Sequence, residues 1–401
     1  MPLALLAIAS VSLSIWLYLA VARGTFWRLS KFNDDVAAHE APNAWPSVIA
    51  VVPARNEAAT IAQTLVSLLK QNYASEFSVI VVDDHSEDST TQIAQRAARE
   101  LSAESRIEIR SASALPPGWT GKLWALNEAV ASSNSSGAAP LRPSSATNER
   151  SEPTYYWFTD ADIVHAPDTL HRLVARAERD HLDLASLMVL LHAKTLPERA
   201  LIPAFLFFFL KLYPPSWTAD PKAHTAGAAG GCILLRSEAL QRIGGLAAIR
   251  SEVIDDCALA RAVKRSGGKI WMGLTRASIS LRAYTTFAEI RDTIARTAFT
   301  QLQYSPLLLL GTLLAMFLTY IAPIALLFTH HPAARILAAS TWLLMSLLYL
   351  PTTRFYRLSP AWAATLPLAA LFYTYATCLS AARYYLGRGA QWKGRNQASS
   401  L

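Results

Sequence analysis

Residues 47–57 read SVIAVVPARNE and residues 77–84 read FSVIVVDD. Each is a short apolar run, rich in β-branched residues, that stops abruptly at polar ones. A strand buried on both faces and running out into a loop has this pattern. Between them, from Ala58 to Lys70, apolar residues recur at helical spacing. A second helical stretch follows at Ser89–Leu101, with further strand runs at Arg106–Arg110, Tyr155–Thr159 and Leu184–Leu191. Strand and helix taking turns predict an α/β fold, a mostly parallel sheet with helices on both faces. Such sheets bind ligands at the carboxyl ends of their strands. The polar residues where the strands stop are therefore the first candidates for a site.

Four places along the chain carry acids or polar groups in that position. Pro53-Ala54-Arg55-Asn56-Glu57 follows the opening strand and can turn backbone donors and side chains toward a ligand, although Asn56 and Glu57 also suit a helix cap. Asp83-Asp84 ends the next strand. Two adjacent carboxylates there are costly unless a ribose hydroxyl, a base N–H or a cation compensates them; Ser86 and Asp88, close behind, suit a helix cap. Thr159-Asp160-Ala161-Asp162 places an acid-x-acid pair at a strand end, an oxygen ligand set for Mg²⁺ or Mn²⁺. Asp255-Asp256 opens a helical pattern, where the dipole favours anions and where a carboxylate can serve as general base toward a hydroxyl.

Other segments fit around these four. Pro117-Gly118-Trp119-Thr120-Gly121-Lys122 is a glycine-flanked turn whose lysine suits a phosphate or a nucleobase. The small residues Ala226–Cys232, with Gly230 and Gly231, allow close backbone approach to a bulky ligand. Arg291 and Arg296 fall on a predicted helix, where they could neutralise a diphosphate leaving group.

Composition adds a membrane. Of 401 residues, 52% are hydrophobic and only 16% charged, too apolar a balance for a purely soluble protein. Leu3 to Ala22 is an uncharged run of about 20 residues, followed rather than preceded by Arg23, Arg28 and Lys31. It reads as an uncleaved anchor with a cytoplasmic basic flank. The expected layout is an N-terminal transmembrane anchor over 1–22, a juxtamembrane linker over 23–46, an α/β domain over 47–300, C-terminal transmembrane segments over 301–386 and a basic tail over 387–401. The C-terminal segments are Leu307–Phe328, Ile336–Leu350 and Trp362–Ala382. Within the α/β domain, 132–153 reads as a flexible insertion. Leu201–Trp217, too short to span, reads as an interfacial helix. Four full spans from an outside N-terminus would leave the basic tail outside, against the charge rule. The net charge of +8 is spread along the chain, which suits anionic lipids and phosphorylated substrates and not nucleic acid. Three widely spaced cysteines suit a reducing compartment.

In order and spacing, these motifs resemble the family 2 glycosyltransferases of GT-A fold, a Rossmann-like α/β architecture, over about residues 47–300. Ile254-Asp255-Asp256-Cys257 and Ala295-Arg296-Thr297-Ala298-Phe299-Thr300-Gln301-Leu302 look most like the membrane-bound, hopene-associated subgroup. The resemblance implies an inverting enzyme that uses a nucleotide-sugar donor, a divalent cation (Mg²⁺ or Mn²⁺) and a lipid acceptor, with the catalytic domain on the cytoplasmic side of the inner (plasma) membrane. It implies Asp84 and Asp83 at the nucleoside, with Pro53, Arg55, Glu57, Lys122, Asp160, Gly230 and Gly231 around the donor. It further implies Asp160 and Asp162 on the metal, Asp256 as base, and Asp255 and Arg296 beside it. One departure stands out. Processive members carry a Trp directly after the arginine that corresponds to Arg296, and here that residue is Thr297, which counts against a polymer synthase.

Overall fold

The computed structural model describes residues 2–34, 42, 44–134, 153–387, 391–392 and 395–396. The chain divides into two compact units. One comprises Met1–Lys31, His192–Ser216 and Ala283–Gln391, and the other Phe32–Leu191, Trp217–Arg282 and Trp392–Leu401.

The second unit is built on an eight-stranded sheet. Its strands are β1 (Val48–Ala54), β2 (Phe77–Asp83), β3 (Ile107–Ser111), β4 (Tyr155–Phe158), β5 (Ile163–His165), β6 (Leu184–Leu190), β7 (Ile233–Arg236) and β8 (Ile270–Ser280), in the order β3-β2-β1-β4-β7-β6-β8-β5. Alternation along β1 sends Ala50 and Val52 to one face, against Leu65 and Leu68 of the helix Ile61–Leu69. Val51 goes to the other face, with Leu123 and Leu126 of the helix Gly121–Asn134. Helices thus cover both faces.

The sheet is mostly parallel, as expected, with two strands reversed. The pairs β3–β2, β2–β1, β1–β4 and β6–β8 are parallel, whereas β7 runs antiparallel to both β4 and β6, and β5 runs antiparallel to β8. Strand direction depends on the side from which the chain re-enters the sheet. β7 has four residues and β5 three, too few to carry a period, and nothing local in them records that side.

The parallel block sets the site. Ala54 at the end of β1 pairs with Asp83 at the end of β2, and Val51 with Phe158 at the end of β4. The loops after these three strands therefore open on one edge of the sheet. The exits of β1 and β2 are tied together as well. Asn56 N–H donates to Ser86 Oγ at 2.9 Å, Glu87 N–H to Asn56 Oδ1 at 2.8 Å, and Glu57 N–H to Thr90 Oγ1 at 2.8 Å.

The first unit is helical. Five stretches are long and apolar enough to cross a membrane: Leu3–Val21, Leu196–Ala219, Pro306–Leu326, Pro332–Phe355 and Pro360–Tyr385. The second is longer than the expected Leu201–Trp217. Thr195 caps the helix Leu196–Leu212 in a reciprocal box with Glu198, so it starts before Leu201. Trp16 donates to the carbonyl of Thr319 at 2.8 Å and meets the Tyr320 ring edge-on at 5.6 Å. Large apolar side chains point outward, among them Val21, Leu307, Phe328 and Leu368.

Of the expected insertion at 132–153, residues 132–134 finish the helix Gly121–Asn134 and 135–152 lie outside the described residues. Most of the expected tail lies outside them too.

Candidate active site

Lys122 is the second residue of the helix that starts at Gly121, held there by a hydrogen bond from Thr120 N–H to the Arg250 carbonyl at 2.9 Å. The turn before it needs its glycine, since Gly118 has φ +80°. The ammonium lies 2.9 Å from Asp160 Oδ1 and 3.2 Å from Asp255 Oδ2. Burial works against its charge, but Asp160 and Asp255 outweigh it and hold the Lys122 pKa above the usual lysine range.

Asp256 sits beside this cluster at the start of the helix Asp255–Arg265. Gly230 N–H donates to its Oδ2 at 2.9 Å and Cys257 N–H to its Oδ1 at 2.7 Å. Burial first, and then the charge of Asp255, push its carboxyl up to about 6, against the pull of Lys122. A Cβ at Gly230 would come within 3.2 Å of Lys122 Nζ and 3.4 Å of Asp256 Oδ2. Gly230 is therefore small because these two side chains occupy the space. Gly231 instead faces Ile163 and Val189 in the core.

Asp162 lies two residues beyond Asp160 and accepts from Ser280 Oγ at 3.3 Å. Burial, then the carboxylates of Asp160 and Glu57, raise it to about 6. A carboxylate raised by its acidic neighbours is an oxygen donor whose repulsion a cation would relieve. Lys122, already drawn in between Asp160 and Asp255, shows that positive charge is favoured there. The pair thus fits a divalent ion held by one or two carboxylates and completed by water and phosphate. Among the described residues, no group of three His, Cys, Asp or Glu side chains could hold a metal by itself.

Asp83 is compensated by Ser86, and Asp84 faces Arg55. Asp83 accepts from Ser86 N–H and Ser86 Oγ. Arg55 donates to the Asp84 carbonyl at 2.5 Å, with its guanidinium 4.0 Å from the Asp84 carboxylate. Ser86 therefore serves Asp83 rather than capping the next helix. Pro53 and Asp160 line one cleft together with Lys122, Asp255 and Asp256. Arg296 lies in the other unit on the helix Phe287–Gln301. Arg291, expected beside it, is engaged by Asp292 at 3.0 Å, which Arg383 also reaches at 2.6 Å.

Four positioning residues carried no sequence signal. Thr159 Oγ1 donates to the Gly231 carbonyl at 3.0 Å and lies 2.8 Å from His165 Nε2, while His165 Nδ1 lies 2.8 Å from Ser278 Oγ. With the Thr159 proton spent on Gly231, His165 donates through Nε2 and accepts from Ser278 at Nδ1. Burial drives the imidazole pKa down to about 3, so the ring stays neutral. This chain anchors the residue just before Asp160, and Ser280 secures Asp162. Both serines come from β8, more than a hundred residues later in sequence.

Residues 49–244, just under half of the chain, match the family model for Glycosyl transferase family 2. This segment is similar to family 2 glycosyltransferase domains. The whole chain is similar in fold to the mannosyltransferase PcManGT from Pyrobaculum calidifontis, solved in complex with GDP-Man and Mn²⁺. The two are 19% identical, with a TM-score of 0.50 over 95% of this chain and 99% of that one. Weaker likenesses are to TarS of S. aureus (19% identity, TM-score 0.39, 63% of this chain and 40% of that one) and to glucosyl-3-phosphoglycerate synthase of Mycobacterium tuberculosis with Mn²⁺ and uridine-diphosphate-glucose (16%, 0.36, 62% and 77%). No curated protein matches the chain by sequence. The protein is a glycosyltransferase of GT-A-like fold. The matched segment of the transferase domain contains Lys122, Asp160 and Asp162 and stops short of Asp255 and Asp256.

Proposed function

We propose that the chain is an inverting transferase that moves one sugar from a nucleotide-sugar donor, UDP-linked by preference, to a lipid acceptor of hopanoid-related type at the cytoplasmic face of the membrane. The observation that carries this reading is the convergence of Lys122, Asp160, Asp255 and Asp256 on one cleft beside Asp162.

In this reading Asp256 takes the proton from the acceptor hydroxyl. Its oxygens are oriented by the Gly230 and Cys257 N–H groups, and each keeps a lone pair for the incoming hydroxyl. The carboxylate that burial has made more basic is the better proton acceptor near neutral pH. As the proton leaves, the oxygen attacks the anomeric carbon from the face opposite the diphosphate. One displacement without a covalent intermediate inverts the configuration. When bound, a Mg²⁺ or Mn²⁺ ion would be held by Asp160 and Asp162 and would supply positive charge to the diphosphate. Lys122 adds a second positive group that can reach the same oxygens.

The membrane assignment draws on the outward leucines and phenylalanines of the helical unit, which suit a lipid surrounding better than water. Leu196–Ala219 is read as a segment that does not cross. The chain leaves the sheet at β6 and returns to it at β7, and these strands pair with each other. A single crossing would put them on opposite sides, which favours an interfacial placement for this helix.

Purified protein incubated with a panel of nucleotide sugars and a membrane lipid extract tests the reading. Mass spectrometry should find a lipid that has gained a single sugar, with the anomeric configuration opposite to the donor's. A long polymer, a retained configuration or sugar released only to water would overturn it.

A further inference from the structure

Lys122 occupies the place that a metal ion would compete for. Its ammonium touches the more exposed acid of the acid-x-acid pair and one acid of the late pair, at 2.9 and 3.2 Å. Asp160 is 38% exposed, open enough to be reached from the cleft, while Lys122 is 19% exposed. On the third side, a side chain at Gly230 would crowd Nζ, since a Cβ there would lie 3.2 Å from it. The base of the side chain is fixed because the helix start is tied to Arg250 and the next residue, Leu123, is buried. The ammonium can leave only by swinging its flexible stem.

We propose that Lys122 is the resident counter-ion of this site, so that a divalent cation binds tightly only together with the nucleoside diphosphate. The proposal rests on the metal and donor assignments above. The physics is a contest between like charges. A divalent ion at Asp160 would face an ammonium about 3 Å from the same oxygen, and at such separations like charges repel strongly inside a protein cleft. A diphosphate removes the conflict. Its oxygens give the ammonium a new partner and also complete the ion's coordination. A compact, rotatable lysine suits this exchange better than a planar guanidinium. Because the coupling is reciprocal, the donor must also bind more tightly in the presence of metal. Donor and metal would then enter as one unit, and Lys122 offsets part of the charge of Asp160 and Asp255 while the cleft is empty.

The test is Mn²⁺ binding to the full-length protein in detergent, with protein-bound ion measured by equilibrium dialysis with and without saturating UDP. Three forms are compared: unaltered protein, Lys122→Met and Lys122→Arg. Without nucleotide, Lys122→Met should bind Mn²⁺ about tenfold or more tighter than the unaltered protein, and Lys122→Arg should stay weak. Adding Asp160→Asn to Lys122→Met should abolish the gain. The unaltered protein alone provides a second measurement, since UDP should tighten its hold on Mn²⁺ by about tenfold or more. Equal Mn²⁺ affinity in Lys122→Met and unaltered protein, with UDP still promoting binding in both, removes the counter-ion role and leaves the metal assignment standing. Tight Mn²⁺ binding by unaltered protein without nucleotide does the same. An absence of Mn²⁺ binding in every form, with UDP as well as without, removes the metal assignment and this proposal together.

Discussion

Asp256 holds its two oxygens on backbone N–H groups from separate parts of the chain, Gly230 and Cys257. Replacing it with Asn preserves the shape but removes the proton acceptor. Turnover should fall by about 10² or more, the usual size of general-base effects, while donor binding persists. Near-normal turnover in this variant would reduce the acid pair to a helix start. The base must be ionised to work, and burial together with Asp255 raises its carboxyl to about 6. Rate against pH should therefore climb through about pH 6 and level off above it. An acid limb near 4, the value of a free carboxylate, would show that another group governs the reaction. At Asp162, replacement by Ala should leave an enzyme that added Mn²⁺ or Mg²⁺ does not restore. In the unaltered protein, EDTA should abolish activity and either ion should return it. Full activity in EDTA would remove Asp160 and Asp162 from the metal.

Among the elements, β8 does most to hold the metal motif although it contributes none of its acids. Through Ser278 it fixes His165, which fixes Thr159, and through Ser280 it reaches Asp162. His165→Leu conserves bulk but takes from the Ser278 hydroxyl its acceptor and leaves Thr159 only its bond to Gly231. Such a loss costs about 1–3 kcal/mol. A lower midpoint in denaturant should report it, together with weaker Mn²⁺ retention because the Asp160 loop loses its anchor. An unchanged midpoint would mean that the hydroxyls find other partners. The loops after β1 and β2 depend on a different device. Asn56 and His85 both take left-handed φ of 52°, a conformation to which Asn and His are better suited than most residues. Neither turn shows in an apolar pattern, although the Asn directly after the first strand run hints at one.

For the whole molecule, the proposed orientation can be tested by chemical labelling. Nucleotide sugars are made in the cytoplasm, so the proposed reading has the transferase domain face it. A cysteine at position 144, which lies outside the described residues in the polar 132–153 stretch, serves as the reporter. Cys232 and Cys257 are buried, whereas Cys378 is exposed and should first be changed to Ser. In intact cells a membrane-impermeant maleimide should leave the new cysteine unmodified, and in inverted membranes it should react. Labelling in intact cells would put the domain outside, where the donor would have to be a lipid-linked sugar.

Much of this protein is legible along the chain alone. The runs ending at Ala54, Asp83 and Phe158 identify three strands because a strand buried on both faces must be apolar throughout. Each run stops where the chain leaves the sheet, so the candidate acids are visible at the strand ends. The apolar helices are visible for the same reason, since length and hydropathy are properties of the chain itself. The pairing of β7 is not legible, because direction in a four-residue strand is set by the path of the chain around it. Nor is the joining of Lys122 to Asp160 and Asp255. Those residues are separated by 38 and 133 positions in the sequence, and an ion pair between distant residues leaves no local pattern. The tertiary structure also assigns Gly230 to Asp256 and Gly231 to the core, a division that two adjacent glycines cannot reveal. What a residue is made of can be read along the chain, but what it faces is decided by packing.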